Sequence, residues 1–150
     1  MILHHDDALV VADKPAGLPT VPGRPPELHD CLWQRVRERW PDALVVHRLD
    51  MATSGLVLFA RGAEAQRRLS IAFAQRQVGK AYEAIAAGDL PGDSGEIDLP
   101  LAANWPNRPR PQIDAARGKP SLTRWRVLER KLPIGGDRLA LEPLTGRTHQ

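Results

Sequence analysis

Residues 44–60 constrain this chain most. Two apolar runs, residues 44–46 and 56–60, enclose the polar segment His47-Arg48-Leu49-Asp50-Met51-Ala52-Thr53-Ser54-Gly55. Short apolar runs rich in Val, Leu and Phe read as buried strands, so a sheet must lie at the core of the fold. A carboxylate on the loop between two such strands has a fixed position and a partly desolvated environment. Both properties suit a nucleophile or a general base, which points to Asp50. Asp50 and Thr53-Ser54-Gly55 are also ordinary turn formers. On pattern alone, a catalytic loop and a structural turn both remain open.

Around this centre the chain alternates strands and helices. Residues 2–5 and 8–12 read as a hairpin turned at Asp6-Asp7. The stretch Asp13-Lys14-Pro15-Ala16-Gly17-Leu18-Pro19-Thr20-Val21-Pro22-Gly23 is an irregular loop. Lys14 reads there as a solvated loop lysine, with contact to a phosphate as the sharper alternative. Leu28, Leu32, Val36 and Trp40 recur at helical spacing, predicting an amphipathic helix over residues 27–40. Arg35, Arg37 and Arg39 fall at its other positions, and Pro41 stops it. A second helix covers residues 63–77. From Tyr82 onward alternate residues change character as in a strand, and residues 89–95 form a turn-rich connector. A proline-rich loop carries Trp105 and Arg108, a stacking plane and a cation. Strands follow over residues 121–130 and 138–144, joined at Pro133-Ile134-Gly135-Gly136-Asp137. The expected fold is α+β: one domain with a mixed, largely antiparallel sheet and flanking helices.

Composition narrows the function classes. At 150 residues the chain can bury a core. It has no apolar run of about 18 residues, so no membrane-spanning helix is expected. The start Met1-Ile2-Leu3-His4-His5-Asp6-Asp7 is too short and acidic for a secretory signal. A single cysteine, Cys31, excludes an internal disulfide framework; it reads as a buried small residue, and the cytoplasm is the expected compartment. Net charge is +3, and of 21 Lys and Arg residues only four are lysine. An arginine excess suits phosphate binding and base stacking, although genomic base composition can also produce it. His4, His5, His29, His47 and His149 form no ligand cluster, so no metal is expected. No glycine-rich phosphate loop implies a nucleotide cofactor.

The segment His47-Arg48-Leu49-Asp50, followed by Thr53-Ser54-Gly55 and an apolar strand, closely resembles the signature of RluA-type pseudouridine synthases, within the RluA/RsuA superfamily. The resemblance continues at Lys14-Pro15-Ala16-Gly17 and at Lys80-Ala81-Tyr82-Glu83-Ala84. It tightens, beyond the superfamily at large, at Asp98-Leu99-Pro100-Leu101, Trp105-Pro106-Asn107-Arg108-Pro109 and Gly118-Lys119-Pro120. The ending Leu144-Thr145-Gly146-Arg147-Thr148-His149-Gln150 resembles the start of a third family motif. In the family that motif continues to an arginine that pairs with the catalytic aspartate. The chain is therefore expected to hold only part of the catalytic domain, as a fragment, a truncated gene product or an incomplete sequence.

The resemblance implies an isomerase that converts uridines in structured RNA, ribosomal large-subunit RNA or the tRNA anticodon stem-loop, to pseudouridine. It needs neither cofactor nor metal. Asp50 would be the catalytic carboxylate, acting as nucleophile or base. Tyr82 would lie close to it, against the target base. Arg48 would enter the space vacated by the flipped base, or orient Asp50 through a salt bridge. His47, Trp105, Arg108 and Arg147 are further candidate RNA contacts, and the protein is expected to be a monomer. Two other classes stay open: a non-catalytic RNA-binding module, and a phosphodiesterase-like hydrolase using Asp50 and a histidine.

Overall fold

The structure, a computed structural model, describes residues 1–88, 90–103, 111–147 and 149–150. They form two compact units, Met1–Gln77 and Val78–Gln150. In the first, β1 (Ile2–His5) and β2 (Leu9–Lys14) form the expected antiparallel hairpin. Asp6 turns it: its Oδ1 accepts the backbone N–H groups of Ala8 and Leu9, both at 2.8 Å. β3 (Ala43–Val45) and β4 (Gly55–Arg61) flank the Asp50 loop, and the sheet runs β1-β2-β4-β3. Val10, Ala12, Val57, Phe59 and Ala60 are buried in its core.

Two helices serve this sheet. α1 (Leu32–Arg39) buries Leu32 and Val36, as the apolar spacing predicts. It begins five residues later than expected, because residues 26–28 form a separate 3-10 turn after Pro25 and Cys31 is extended. Cys31 is buried but makes no side-chain cap. The first helical N–H groups bond instead to the loop before the helix: Leu32 N–H to the Pro19 carbonyl at 2.9 Å, Trp33 N–H to that of Thr20 at 3.0 Å. Arg37 and Arg39 lie over the rings of Trp33 and Trp40, which shields the tryptophans while leaving the cations wet. α2 (Gly62–Ala74) follows β4, and Gln66 Nε2 donates to the Val45 carbonyl at 2.9 Å, tying it to β3.

The second unit carries a four-stranded antiparallel sheet. Its strands are β5 (Tyr82–Ala86), β6 (Ser94–Asp98), β9 (Leu122–Glu129) and β10 (Asp137–Pro143), in the order β5-β10-β9-β6. β7 (Leu101–Ala103) and β8 (Pro111–Ile113) make a separate two-stranded ribbon. The mixed, largely antiparallel α+β expectation holds. β6 was not expected: it begins inside the stretch read as a turn-rich connector and is mostly polar. It pairs with β9 along its whole length, and across that pair Arg124 Nε meets Glu96 Oε1 at 2.8 Å. Gly95 lies under the indole of Trp125, whose ring atoms would stand 2.9–3.0 Å from any Cβ there. A side chain at that position would lift the indole from the sheet.

Candidate active site

Asp50 is half-buried, and the residues on both sides of it are anchored. Leu49 is buried, and the Thr20 hydroxyl serves both its backbone groups. Thr20 Oγ1 accepts from Leu49 N–H at 3.1 Å and donates to the Leu49 carbonyl at 2.7 Å. On the other side, the Met51 carbonyl accepts from Gly17 N–H at 2.8 Å and from Lys14 Nζ at 3.2 Å. Thr53 N–H closes the turn onto the Asp50 carbonyl at 3.1 Å. Gly17 has φ of +87°, a conformation that favours glycine where its N–H must point at Met51. The backbone at Asp50 is thus held from several sides.

Lys14 is not the solvated loop lysine that its neighbours suggest. It is fully buried, and its ammonium donates to the carbonyls of Pro15, Leu18 and Met51 at 3.0, 2.7 and 3.2 Å. Burial holds its pKa below the ordinary lysine value, and the negative charge of Asp50 pulls it partly back. A lysine cation is thus part of the electrostatic surroundings of Asp50. Strand alternation carried the signal: Val10, Ala12 and Lys14 occupy the buried side of β2. Thr20 gave no comparable sign, because its partner lies 29 positions away.

His47 and Arg48 lie on the same loop as Asp50. β3 pairs with β4 only as far as Val45 opposite Phe59. The next inward donor, Leu58 N–H, is accepted by His47 Nε2 at 2.9 Å, so the imidazole continues the ladder where the strand stops. Its ring stacks on Phe73 of α2 with centroids 4.6 Å apart. His47 therefore seats the loop on the sheet. Arg48 is exposed, its cation available at the surface.

Tyr82 and Arg147 belong to the second unit. Tyr82 opens β5, paired with Leu141 of β10. It lines an open groove of about 460 Å³ together with Lys80, Trp125, Arg126 and Leu141. Lys80 Nζ donates to the Thr145 carbonyl at 2.6 Å, joining the Lys80-Ala81-Tyr82 segment to the one that carries Arg147. Thr145 is buried, and its hydroxyl accepts Leu122 N–H at 2.9 Å, fixing both to β9. Arg147 is exposed, and its Nε donates to the Pro120 carbonyl at 3.3 Å. Trp105 and Arg108 lie outside the described residues. Among the described residues no group of His, Cys, Asp and Glu is placed to hold a metal, and no helix is long and apolar enough to cross a membrane.

Comparison with known proteins gives the family. Residues 8–150 match the family model described as RNA pseudouridylate synthase. A protein of Pasteurella multocida named dual-specificity RNA pseudouridine synthase RluA is 47% identical over 149 residues, covering 99% of this chain and 68% of its own length. A protein of the same name from Vibrio vulnificus is 45% identical, and the chain spans 61% of it. Among solved structures, human RNA pseudouridylate synthase domain containing 1 superposes with a TM-score of 0.79 at 30% identity, over 99% of this chain and 61% of that one. With a family model matched over nearly its whole length and a relative 47% identical, this chain belongs to the RNA pseudouridylate synthase family.

Proposed function

We propose that the protein carrying this chain isomerises specific uridines to pseudouridine in structured RNA, with Asp50 as the catalytic carboxylate. The observation that carries this reading is the anchoring of the Asp50 loop, in a chain of this family, by Thr20, Gly17 and Lys14. The reaction breaks the bond between C1′ of the ribose and N1 of the base, turns the base, and joins C1′ to C5. The C5 proton leaves and N1 gains one, so no redox partner or co-substrate is required. A carboxylate that attacks C1′ or the base, or removes a proton, fits this balance.

A uridine inside folded RNA must leave its stack before Asp50 can reach it. Arg48 fills the vacated space, where a guanidinium can stack and still reach phosphate. Tyr82 packs against the flipped base, and Trp105, Arg108 and Arg147 contact the RNA. His47 contributes by seating the loop. The dual specificity in the relatives' names supports more than one RNA, and ribosomal large-subunit RNA and the tRNA anticodon stem-loop are the substrates we propose. The protein works as a cytoplasmic monomer without nucleotide cofactor or metal.

Incubation with transcripts of a large-subunit RNA fragment and of an anticodon stem-loop, followed by mass spectrometry for pseudouridine, tests the reading. Conversion of one defined uridine per RNA is expected. Tight RNA binding without conversion would instead identify a non-catalytic RNA-binding module. Binding itself should weaken steeply with salt, log affinity falling against log salt by roughly 0.7 per phosphate contact on single strands. Arg48→Ala should make that slope shallower by about one contact. An affinity that stays flat across salt would argue against RNA as the substrate.

A further inference from the structure

We propose that Thr20 is a positioning residue for the Asp50 carboxylate, acting through the backbone of Leu49. The assignment rests on the reading of Asp50 as the catalytic group. It goes beyond that reading by tracing what sets the carboxylate's place. Leu49 presents an N–H and a C=O into a buried space, and one hydroxyl answers both, at 3.1 and 2.7 Å. Only a group that donates and accepts from a single atom can do this, which among short side chains means Thr or Ser. Thr20 itself is buried and immobilised from behind. Its carbonyl accepts Trp33 N–H at 3.0 Å, and the Pro19 carbonyl accepts Leu32 N–H at 2.9 Å.

A rigid relay follows from these contacts. The N-terminus of α1 fixes residues 19 and 20, the Thr20 hydroxyl fixes Leu49, and Leu49 fixes the adjoining Asp50. The Met51 side of the loop is anchored separately by Gly17 and Lys14. Removing the hydroxyl therefore frees one flank of Asp50 and leaves the other held, so the carboxylate tilts without the loop coming away. A misplacement of about 1 Å at a reacting group can cost on the order of a hundredfold in rate. RNA binding depends on cations spread over the surface, of which Arg48 alone adjoins Leu49, so affinity changes little.

The test compares wild type with Thr20→Val, Thr20→Ala and Thr20→Ser in the protein that carries this chain. Thr20→Val is nearly isosteric, and Thr20→Ala serves if the valine variant does not fold. The expected result is a loss in kcat of about 10- to 100-fold with KM and RNA affinity within twofold, and recovery to within about threefold in Thr20→Ser. In parallel, hydrogen exchange of the peptide spanning residues 47–53 should quicken at least tenfold in the valine or alanine variant. Peptides from β2 and β4 should stay protected. Unchanged kcat, unchanged exchange at residues 47–53, or parallel loss of kcat, affinity and sheet protection would each overturn the proposal. Should the wild-type protein make no pseudouridine while residues 47–53 still loosen on loss of the hydroxyl, the positioning contact stands and the functional reading fails.

Discussion

Asp50→Asn is expected to lower pseudouridine formation by at least about a thousandfold, the scale at which loss of a nucleophile or general base is felt. The amide keeps the size of the side chain and removes its charge. The backbone bonds that hold the loop involve Leu49, Met51 and the Asp50 carbonyl, none of which the substitution touches. The fold should therefore persist, with circular dichroism unchanged. A modest fall in melting temperature is expected even so, because the Asp50 charge favours the buried Lys14 cation. Mass spectrometry of treated RNA gives the rate. Turnover within tenfold of wild type would remove Asp50 from the mechanism.

Lys14→Met should destabilise the protein by about 3 kcal/mol, although it removes a charge whose burial is unfavourable. Methionine has no donor for the carbonyls of Pro15 and Leu18, while that of Met51 keeps the Gly17 N–H. Each buried acceptor left unpaired costs about 1–3 kcal/mol, which outweighs the relief of desolvation. For a chain of this size that corresponds to a fall in Tm of about 10 °C. The pH dependence has a definite sign. Folding lowers the pKa of Lys14, so between its folded value and the ordinary lysine value the unfolded chain binds more protons. The contribution of Lys14 to stability therefore rises with pH across that window, and Lys14→Met should flatten this rise. A variant that melts like wild type, with the same alkaline slope, would show that the Pro15 and Leu18 carbonyls do not need the ammonium.

What the sequence made legible were features written in local periodicity. The β1–β2 hairpin, the strands around Asp50, and β9 and β10 all follow from alternation or apolar runs, and Asp50 from its place between two of them. The anchors of the loop were not legible. Thr20 meets Leu49 across 29 positions and Lys14 meets Met51 across 37, and neither contact leaves a periodic trace. The Pro-x-Gly context of Lys14 signalled an exposed loop, while the phase of Val10 and Ala12 put it on the core side, and the phase prevailed. α1 began late because Pro25-Pro26 and the extended Cys31 override an apolar spacing that would have started the helix at residue 27. β6 escaped notice because its residues are mostly polar and exposed, and what makes it a strand is the backbone ladder to β9, distant in sequence.

The strand order of the second unit also bears on how its parts assemble. β9 and β10 are neighbours in sequence, closed by a short turn where Asp137 accepts from Lys131 N–H at 2.9 Å and from Arg130 at 3.0 Å. β5 pairs with β10 from about fifty positions away, Ala86 opposite Asp137. Each doubling of a loop adds roughly 0.6 kcal/mol of closure entropy, so the β9–β10 hairpin forms first and β5 joins an existing template. Among the described residues β5 lies at the edge of this sheet, and it is the strand that bears Tyr82. Its amides should exchange with solvent sooner than those of β10. Tyr82 thus sits on a strand that joins late, where local opening can loosen its ring without melting the hairpin beneath it.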